Sequence, residues 1–283
     1  MKKYTCHVPE NLPDMKIGVY LERALPLLPY TVIRDALKKR DVKADGRRMS
    51  ADERAPRGAE VDVYCNYEIV PDIVYEDDDV LILNKPAGLS CDDDDYGGMT
   101  VQSVLELCRP EAETVAPVHR LDNRTCGLVL CAKKEEIREK LTEAFKTREG
   151  ITKQYVCVVK GNMNPPEAVK NAFITKNAKI GRVRVISHNT PGSKEICTEY
   201  HTLSYDGQVS RLLITLHTGR THQIRAHMAY LGHPVAGDDL YGDRAFNRRY
   251  SMNLLLCAVR LCFDDRIEVD GLKNREFVID APF

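Results

Sequence analysis

Apolar residues recur every three or four positions in two stretches near the start of the chain, residues 15–28 and 31–40. This spacing is typical of amphipathic helices. It predicts two short helices separated by Pro29, with Thr31 as the N-cap of the second.

Two short strand-like segments follow these helices, at residues 41–44 and 60–64. The Asp45-Gly46 pair after the first segment is a strong turn signal. The pattern therefore predicts a helix-helix-hairpin unit of about 50 residues. Residues 66–72 are then predicted to be a linker that separates a small domain, 1–66, from a larger one, 72–283.

The larger region combines apolar runs with two amphipathic stretches. The runs are nearly continuous in Val, Leu, Ile and Cys, which predicts central strands buried on both faces. They lie at residues 80–84, 128–132, 154–160, 210–217 and 254–263. Helical spacing occurs at 101–108 and 134–146. The predicted fold class is therefore α+β.

Composition is that of an ordinary globular protein, with 43% hydrophobic and 29% charged residues. No segment approaches the roughly 18 apolar residues that a membrane helix needs. The first residues carry basic side chains without an apolar run behind them, so no secretory signal is predicted. The ten cysteines are scattered and form no C-x-x-C pair. A reducing, cytoplasmic location is therefore expected.

The net charge of −1 conceals an uneven distribution. Residues 31–58 hold nine Lys or Arg against five Asp or Glu, whereas acids gather at 76–79 and 92–95. Binding to phosphates requires such local positive charge. The segment at about 15–65 also resembles the small RNA-binding module first recognised in a protein of the small ribosomal subunit. A solvated basic helix on an ordinary small domain is the alternative.

The stretch P-V-H-R-L-D-N-R-T-C-G at residues 117–127 places a carboxylate in a loop before a buried strand. Asp122 has Arg120 and Arg124 close by in sequence, and nearby positive charge keeps a carboxylate ionised. An ionised carboxylate can attack an electrophilic carbon. On its own, the pattern is more typical of a structural salt bridge.

A second polar stretch lies about a hundred residues later, at 218–242. Thr221 is predicted to cap a helix that ends at Gly232. Arg225 would then lie in the first turn, where the helix dipole disfavours a cation. We therefore expect Arg225 to face a carboxylate partner.

Together these stretches resemble the RluA-type pseudouridine synthases, which modify ribosomal and transfer RNA, over about residues 72–283. Six blocks occur in the order that the family has them. They are D-V-L-I-L-N-K-P-A-G-L at 79–89, H-R-L-D-N-R-T-C-G at 119–127, I-T-K-Q-Y-V-C-V-V-K-G at 151–161, G-R-T-H-Q-I-R-A-H at 219–227, G-H-P-V-A-G-D at 232–238 and L-L-L-C-A-V-R-L-C-F at 254–263. The resemblance implies a central sheet that is mixed, mostly antiparallel and flanked by helices.

The resemblance also implies which residues act. Asp122 corresponds to the nucleophile, which attacks the sugar carbon or assists a glycal intermediate. Arg225 corresponds to the arginine that pairs with it, and Tyr155 to the tyrosine that stacks on the uracil and helps to remove its carbon 5 proton. The implied substrate-binding residues are Arg120, His119 and Leu256. Arg120 would enter the base stack after the uridine flips out, and Leu256 would form a wall of the pocket.

This chemistry implies an RNA partner and no cofactor, and we expect a monomer. The sequence does not separate ribosomal from transfer RNA. Two departures from the family pattern stand out: Cys126, where the family usually has Ser, and the acidic loop 92–95. The loop either points away from the RNA or reflects an unusual substrate, and a solvated loop is favoured.

Four alternatives compete with this interpretation. A metal site at His217, His222, His227 and His233 is disfavoured, since zinc-binding helical pairs are spaced by four residues and the first three are spaced by five. A Cys126 nucleophile beside His119 has no support from the sequence. A non-catalytic RNA-binding protein and a glycoside hydrolase are the remaining rivals, and the second needs a pair of carboxylates.

Overall fold

A computed structural model describes residues 1–92, 96–109, 115–177 and 181–283. Of the acidic loop discussed above, residues 93–95 therefore lie outside the described residues. The strands form two separate sheets, one before residue 66 and one after residue 72.

The helices and strands follow one another along the whole chain. In order they are β1 (Lys2–His7), α1 (Ile17–Ala24), α2 (Tyr30–Lys38), β2 (Val42–Ala44), β3 (Arg47–Arg48), β4 (Glu60–Cys65), β5 (Ile73–Glu76), β6 (Val80–Lys85), α3 (Val101–Cys108), β7 (Ala116–Pro117), β8 (Cys126–Ala132), α4 (Glu135–Thr147), β9 (Ile151–Lys160), β10 (Glu167–Asn177), β11 (Arg182–Ile186), β12 (Lys194–Tyr205), β13 (Val209–Leu216), α5 (Gln223–Tyr230), α6 (Arg244–Tyr250), β14 (Leu256–Phe263) and β15 (Glu276–Val278).

The first sheet has the order β1-β4-β2-β3. Asp45 and Gly46 both adopt positive φ, at 46° and 81°, which closes the predicted turn. The second helix begins at Tyr30 after an N-cap at Pro29, so the prediction of Thr31 as its cap is wrong. Strand β1 was not predicted, because its apolar residues are few and alternate with polar ones.

The second sheet runs β11-β10-β12-β13-β9-β14-β8-β6-β5, with β15 on β14 and β7 on β8. In the described part of the chain, β14 and β8 pair in parallel and the other neighbours pair antiparallel. Strand β8 is buried along its whole length, and α4 packs on it. The expected α+β class with a mixed, mostly antiparallel sheet is confirmed.

Strands β10, β11 and β12 form one end of this sheet and were not predicted. Their buried positions alternate with exposed ones, so no continuous apolar run marks them. They extend the sheet well past the site but contribute few residues to it.

Residues 96–99 are hydrogen-bonded to β1 and α1 of the N-terminal region. The His7 amide donates to the Gly97 carbonyl at 3.1 Å, and the Met99 amide donates to the Ala24 carbonyl at 2.7 Å. A Cβ added at Gly98 would lie 2.4 Å from the Ala24 carbonyl oxygen, so this close approach requires glycine. Buried side chains from before and after residue 66 share one hydrophobic cluster. Of the predicted linker, Ile69 is buried in this cluster, whereas residues 66–68, 70 and 72 are exposed.

Within the described residues, none of the helices combines the length and the apolar character that crossing a bilayer demands.

Candidate active site

Asp122 lies in the loop between β7 and β8, where the chain enters the buried centre of the sheet. The Thr125 amide donates to the Asp122 backbone carbonyl at 3.0 Å and closes a turn. Gly127 follows with φ 112°, and a Cβ there would lie 2.2 Å from the Ala258 carbonyl oxygen. The glycine allows β8 to approach β14 closely, which brings the Asp122 loop beside the start of β14.

Arg225 of α5 contacts Asp122, as the sequence led us to expect. One guanidinium nitrogen lies 3.3 Å from the Asp122 carboxylate. Two others donate to Asp238, at 2.7 and 3.0 Å, in a bidentate pair. A further contact of 3.3 Å reaches Asp239. The expected carboxylate partner of Arg225 is therefore a set of three carboxylates, of which Asp238 is the main one.

Asp238 and Arg225 are sealed from solvent, with side chains 0% and 4% exposed. Burial alone would lower the pKa of Arg225, but hydrogen bonding and charge from Asp238 and Asp122 together raise it. Burial likewise opposes ionisation of Asp238, yet the Arg225 hydrogen bonds and the amides of Tyr241 and Leu240 lower the pKa of this carboxyl. Both groups are therefore charged, and Asp238 fixes the arginine.

The N-terminus of α5 differs from the prediction. Its N-cap is His222, in the left-handed region at φ 53°, and no side chain caps the helix, so the prediction for Thr221 is wrong. The Gln223 side chain instead accepts from the Arg220 amide and the Thr218 hydroxyl. Gly232 follows the end of the helix with φ 89°, as predicted.

His222 faces the same carboxylate as Arg225. Its Nε2 atom lies 3.8 Å from Asp122, and its Nδ1 atom lies 2.9 Å from the Tyr241 hydroxyl. Burial lowers the pKa of His222, although the charge of Asp122 opposes this effect. Sequence reasoning assigned no role to His222 or Asp238, although both fall within motifs that carry the resemblance.

A pocket of about 130 Å³ opens beside these groups. Tyr155, Leu256 and Asp122 line it together, so the structure brings these three predicted residues to one place. Tyr155 and Leu256 are buried, whereas the Asp122 side chain is 23% exposed. Burial and the charge of Asp122 raise the pKa of Tyr155, against the influence of Arg148. The pocket thus combines an accessible carboxylate with a neutral phenol and an apolar wall.

A cleft of about 900 Å³ leads to Asp122 from outside. Arg120 lines both this cleft and the pocket, and its side chain is 71% exposed. Its guanidinium pairs with Asp92 at 2.5 Å. Helix α1 contributes Arg23 to the same cleft. Arg120 is therefore placed where a strand that enters the cleft would meet it.

His119 lies behind the pocket. Its ring stacks on Phe145 with centroids 4.3 Å apart, and its Nε2 atom accepts from the Leu130 amide at 3.2 Å. His119 is not among the residues that line the pocket with Asp122, Tyr155 and Leu256. Burial lowers its pKa, so the ring is neutral.

The residues of the two alternative sites, a Cys126 nucleophile and a histidine metal site, do not come together. Cys126 donates to the Leu256 carbonyl at 3.6 Å, and a hydrogen bond with Cys257 lowers its pKa to about 7. No hydrogen bond within the described ranges joins Cys126 to His119. The four histidines considered for metal binding have different partners, which are Glu199 for His217, Tyr241 for His222, Thr198 for His227 and the Lys160 carbonyl for His233.

Lys85 was not singled out from the sequence, yet it supports the Asp122 loop. Its side chain is 0% exposed, and its ammonium donates to the carbonyls of Pro86, Leu89 and Asn123 at 3.1, 2.7 and 3.1 Å. Burial lowers its pKa to about 8. Lys85 therefore ties the residue next to Asp122 to the loop after β6.

Comparisons with known proteins agree with this geometry. Residues 79–230 match the family model described as RNA pseudouridylate synthase. The chain is 32% identical over 263 residues to ribosomal large subunit pseudouridine synthase C of Vibrio cholerae, covering 85% of this chain and 81% of that protein. It is 32% identical over 254 residues to ribosomal large subunit pseudouridine synthase D of Salmonella typhimurium, covering 85% and 76%.

A solved structure of human RNA pseudouridylate synthase domain containing 1 superposes with a TM-score of 0.63 at 28% identity, covering 76% of this chain and 84% of that one. Both the family model and the relatives include the loop of Asp122. With the sheet, the pocket and these matches in agreement, the chain belongs to the RNA pseudouridine synthase family.

Proposed function

We propose that this enzyme converts uridine to pseudouridine in large-subunit ribosomal RNA, with Asp122 as its nucleophile. One observation carries the proposal: the Asp122 carboxylate is accessible at the pocket and is held by Arg225, which is itself fixed by the buried Asp238. The relatives named above as ribosomal large subunit synthases support the choice of RNA.

The reaction requires three bond changes at one nucleotide. The bond between N1 of uracil and C1′ of ribose breaks, and its electron pair leaves with the base. The base turns, and its carbon 5 bonds to C1′. Carbon 5 then loses its proton, and N1 gains one, so the product is an isomer. Asp122 stabilises or captures the electron-poor C1′ between these steps.

Tyr155 and Leu256 would hold the base during this turn. Because the pKa of Tyr155 is raised by burial, its phenol stays neutral. A neutral ring can stack on the uracil, and its hydroxyl can relay the carbon 5 proton without holding a charge. Leu256 supplies the opposite apolar surface.

Arg120 would occupy the space that the flipped uridine vacates. Its exposed side chain is paired with Asp92, and surface pairs of this kind contribute little energy. An RNA strand in the cleft can therefore displace it at low cost. The basic segment 31–58 and the first sheet, within residues 1–66, would bind RNA next to the catalytic region at 72–283.

The rival chemistry of a glycoside hydrolase requires a second carboxyl group that is protonated near neutral pH. The nearest sealed carboxyl is Asp238, and its pKa is lowered. It cannot serve as the acid. The geometry therefore favours isomerisation over hydrolysis.

The test uses a large-subunit ribosomal RNA transcript with tritium at carbon 5 of uracil. Wild-type protein should release tritium and leave a pseudouridine peak on nucleoside chromatography. Asp122→Asn should release none, and Arg120→Ala should release it at a reduced rate. Equal product from wild type and Asp122→Asn would overturn the nucleophile. Product with transfer RNA but none with ribosomal RNA would overturn the substrate. We further expect a monomer, which light scattering tests, and a cytoplasmic location, which cell fractionation tests.

A further inference from the structure

A second group of cations lies next to the pocket, and the mechanism above does not use it. Lys153 precedes Tyr155 by two positions in β9, so both side chains point to the same face of the sheet. Lys153 lines the pocket, yet it is only 7% exposed. Its ammonium lies 5.2 Å from the centre of the Phe145 ring.

Arg148 approaches the pocket from the end of α4. A Cβ at Gly219 would lie 1.6 Å from one of its guanidinium nitrogens, so glycine at 219 makes room for the arginine. Another of its nitrogens, Nη1, is completely buried and has no hydrogen-bond partner in the described part of the chain.

Within the described ranges, no carboxylate pairs with either of these cations. Among the residues that the structure describes, Lys153 and Arg148 form no ion pair and no side-chain hydrogen bond. The groups that face Lys153 are Phe145 and Arg148 from α4, His119 from the loop before β8, and Tyr155 from its own strand. Arg220, which acts on Arg148, adds a further positive charge.

Buried charges without partners are costly, and proteins rarely retain them without a use. Burial and, to a smaller extent, the charge of Arg148 together lower the pKa of Lys153 to about 7. A ligand with electron-rich oxygen atoms would relieve this cost. The two cations would therefore favour a ligand with negative charge at the position in the pocket where the base would lie.

Burial decides between the two electron-rich parts of a nucleotide. Phosphates must remain in the open cleft, because the RNA chain continues on both sides of them. Lys153, at 7% exposure, lies at the depth of Tyr155, which is 5% exposed. The part of the nucleotide that reaches this depth is the flipped uracil, with its carbonyl oxygens.

We propose that Lys153, supported by Arg148, binds a carbonyl oxygen of the flipped uracil and stabilises the anion that the base becomes when its bond to ribose breaks. This inference rests on the proposed function. The electron pair of the N1–C1′ bond moves to uracil and spreads over N1 and both carbonyl oxygens. The ammonium lowers the energy of that state, and the charge disappears when carbon 5 bonds to C1′.

The first test replaces Lys153 with Met and, separately, with Arg, and Lys140→Met on the exposed face of α4 is the control. In single-turnover assays with the tritiated transcript, Lys153→Met should react about 10²–10³-fold more slowly, as for the loss of one oxyanion donor. RNA affinity should change little, and Lys153→Arg should recover most of the rate. Because Met removes an unpaired buried charge, Lys153→Met should melt no lower than wild type, which excludes misfolding as the cause.

The pH profile gives a second readout. Wild-type kcat/KM should fall as pH rises through about 7, when Lys153 loses its proton. Lys153→Arg should remove this limb, because arginine keeps its charge. Superimposable profiles for the two proteins, together with an unchanged rate for Lys153→Met, would overturn the inference.

A third measurement tests whether Lys153 contacts the base or a phosphate of the RNA. If Lys153 bound a phosphate, its loss would weaken RNA binding and flatten the slope of log affinity against log salt by about 0.7. That result with an unchanged chemical rate would overturn the inference. Failure of the proposed function is distinguished by Asp122→Asn: if that variant is inactive while Lys153→Met reacts normally, only the role of Lys153 fails.

Discussion

Two buried cationic groups border the same pocket and differ in what surrounds them. Arg225 meets three carboxylates, and the result is a raised pKa and a fixed position. Lys153 meets an aromatic ring and another cation, and its pKa is lowered to about 7. The charge of Arg225 is balanced by carboxylates in the free protein. The charge of Lys153 would be balanced only when a ligand supplies electron-rich atoms.

The difference indicates how each group contributes. A compensated cation can position a reactive carboxylate before the substrate arrives, which is what Arg225 does for Asp122. A cation without a protein partner can instead interact with the substrate, and it most strongly stabilises negative charge that develops on the substrate during the reaction. Stability and activity should therefore respond in different ways to loss of the two groups.

The largest effect is expected for Arg225→Met. This change leaves Asp238 as a buried charge without its partner, which typically costs about 3–5 kcal/mol. Urea unfolding should show this loss, and tritium release should stop because Asp122 is no longer held. Arg225→Lys should recover only part of either property, since lysine cannot form the bidentate pair. A loss below about 1 kcal/mol would remove the distinction between the two groups.

Lys85→Met should have the next largest effect on stability. Lys85 resembles Arg225 in being satisfied, but by three carbonyls instead of carboxylates. Unpaired buried acceptors cost about 1–3 kcal/mol. The Asp122 loop would loosen, so kcat should fall while the melting temperature falls. If Lys85→Met were as stable as wild type, satisfied and unsatisfied lysines would be equivalent in this protein.

A dependence of stability on pH distinguishes Lys153 from Arg225 and Lys85. The folded pKa of Lys153, about 7, lies below the ordinary lysine pKa of 10.5, so the unfolded chain binds more protons between these values. The contribution of Lys153 to stability therefore rises with pH across this window, by at most about 1.4 kcal/mol per pH unit. The difference in unfolding free energy between Lys153→Met and wild type should shrink as pH rises from about 7 to 10. A difference that is constant with pH would contradict the depressed pKa.

Arg120→Ala should have the smallest effect on stability. Its pair with Asp92 is exposed, and such pairs contribute about 0–1 kcal/mol. Calorimetry should detect little change, whereas tritium release should slow if Arg120 takes the place of the flipped base. Asp92→Asn is the matched control, because it breaks the same pair and keeps the arginine. A large loss of stability in either variant would show that the Arg120–Asp92 pair contributes more to stability than its exposure predicts.

Much of the fold could be predicted from the sequence because its central strands are buried on both faces. The run at 128–132 corresponds to β8 and that at 154–160 to most of β9. Strands β10 to β12 were missed because one face is open and their apolar residues alternate with polar ones. Strand β1 was missed for the same reason.

Within the site, the position of Arg225 in the first turn of a helix predicted only an acidic partner, and the choice of Asp122 came from the family resemblance. Asp238 could not be identified as its main partner, because that contact depends on a turn whose amides also bind the same carboxylate. Lys153 and Lys85 were not predicted as site residues, because lysine side chains are usually exposed and the sequence does not reveal their burial. Only the packed structure shows that both are covered. The catalytic roles themselves stay predictions.

The hydrogen bonds that join residues 96–99 to β1 and α1 bear on how this protein could be divided. A fragment beginning at residue 72 would lose the partners of the Gly97 carbonyl and the Met99 amide, and it would expose apolar side chains that α1 covers. We therefore expect the region from residue 72 onward to be less stable without the N-terminal residues. Heating should melt the two sheets in one cooperative transition, so the distance from the basic segment 31–58 to the pocket should be the same for every RNA molecule that binds.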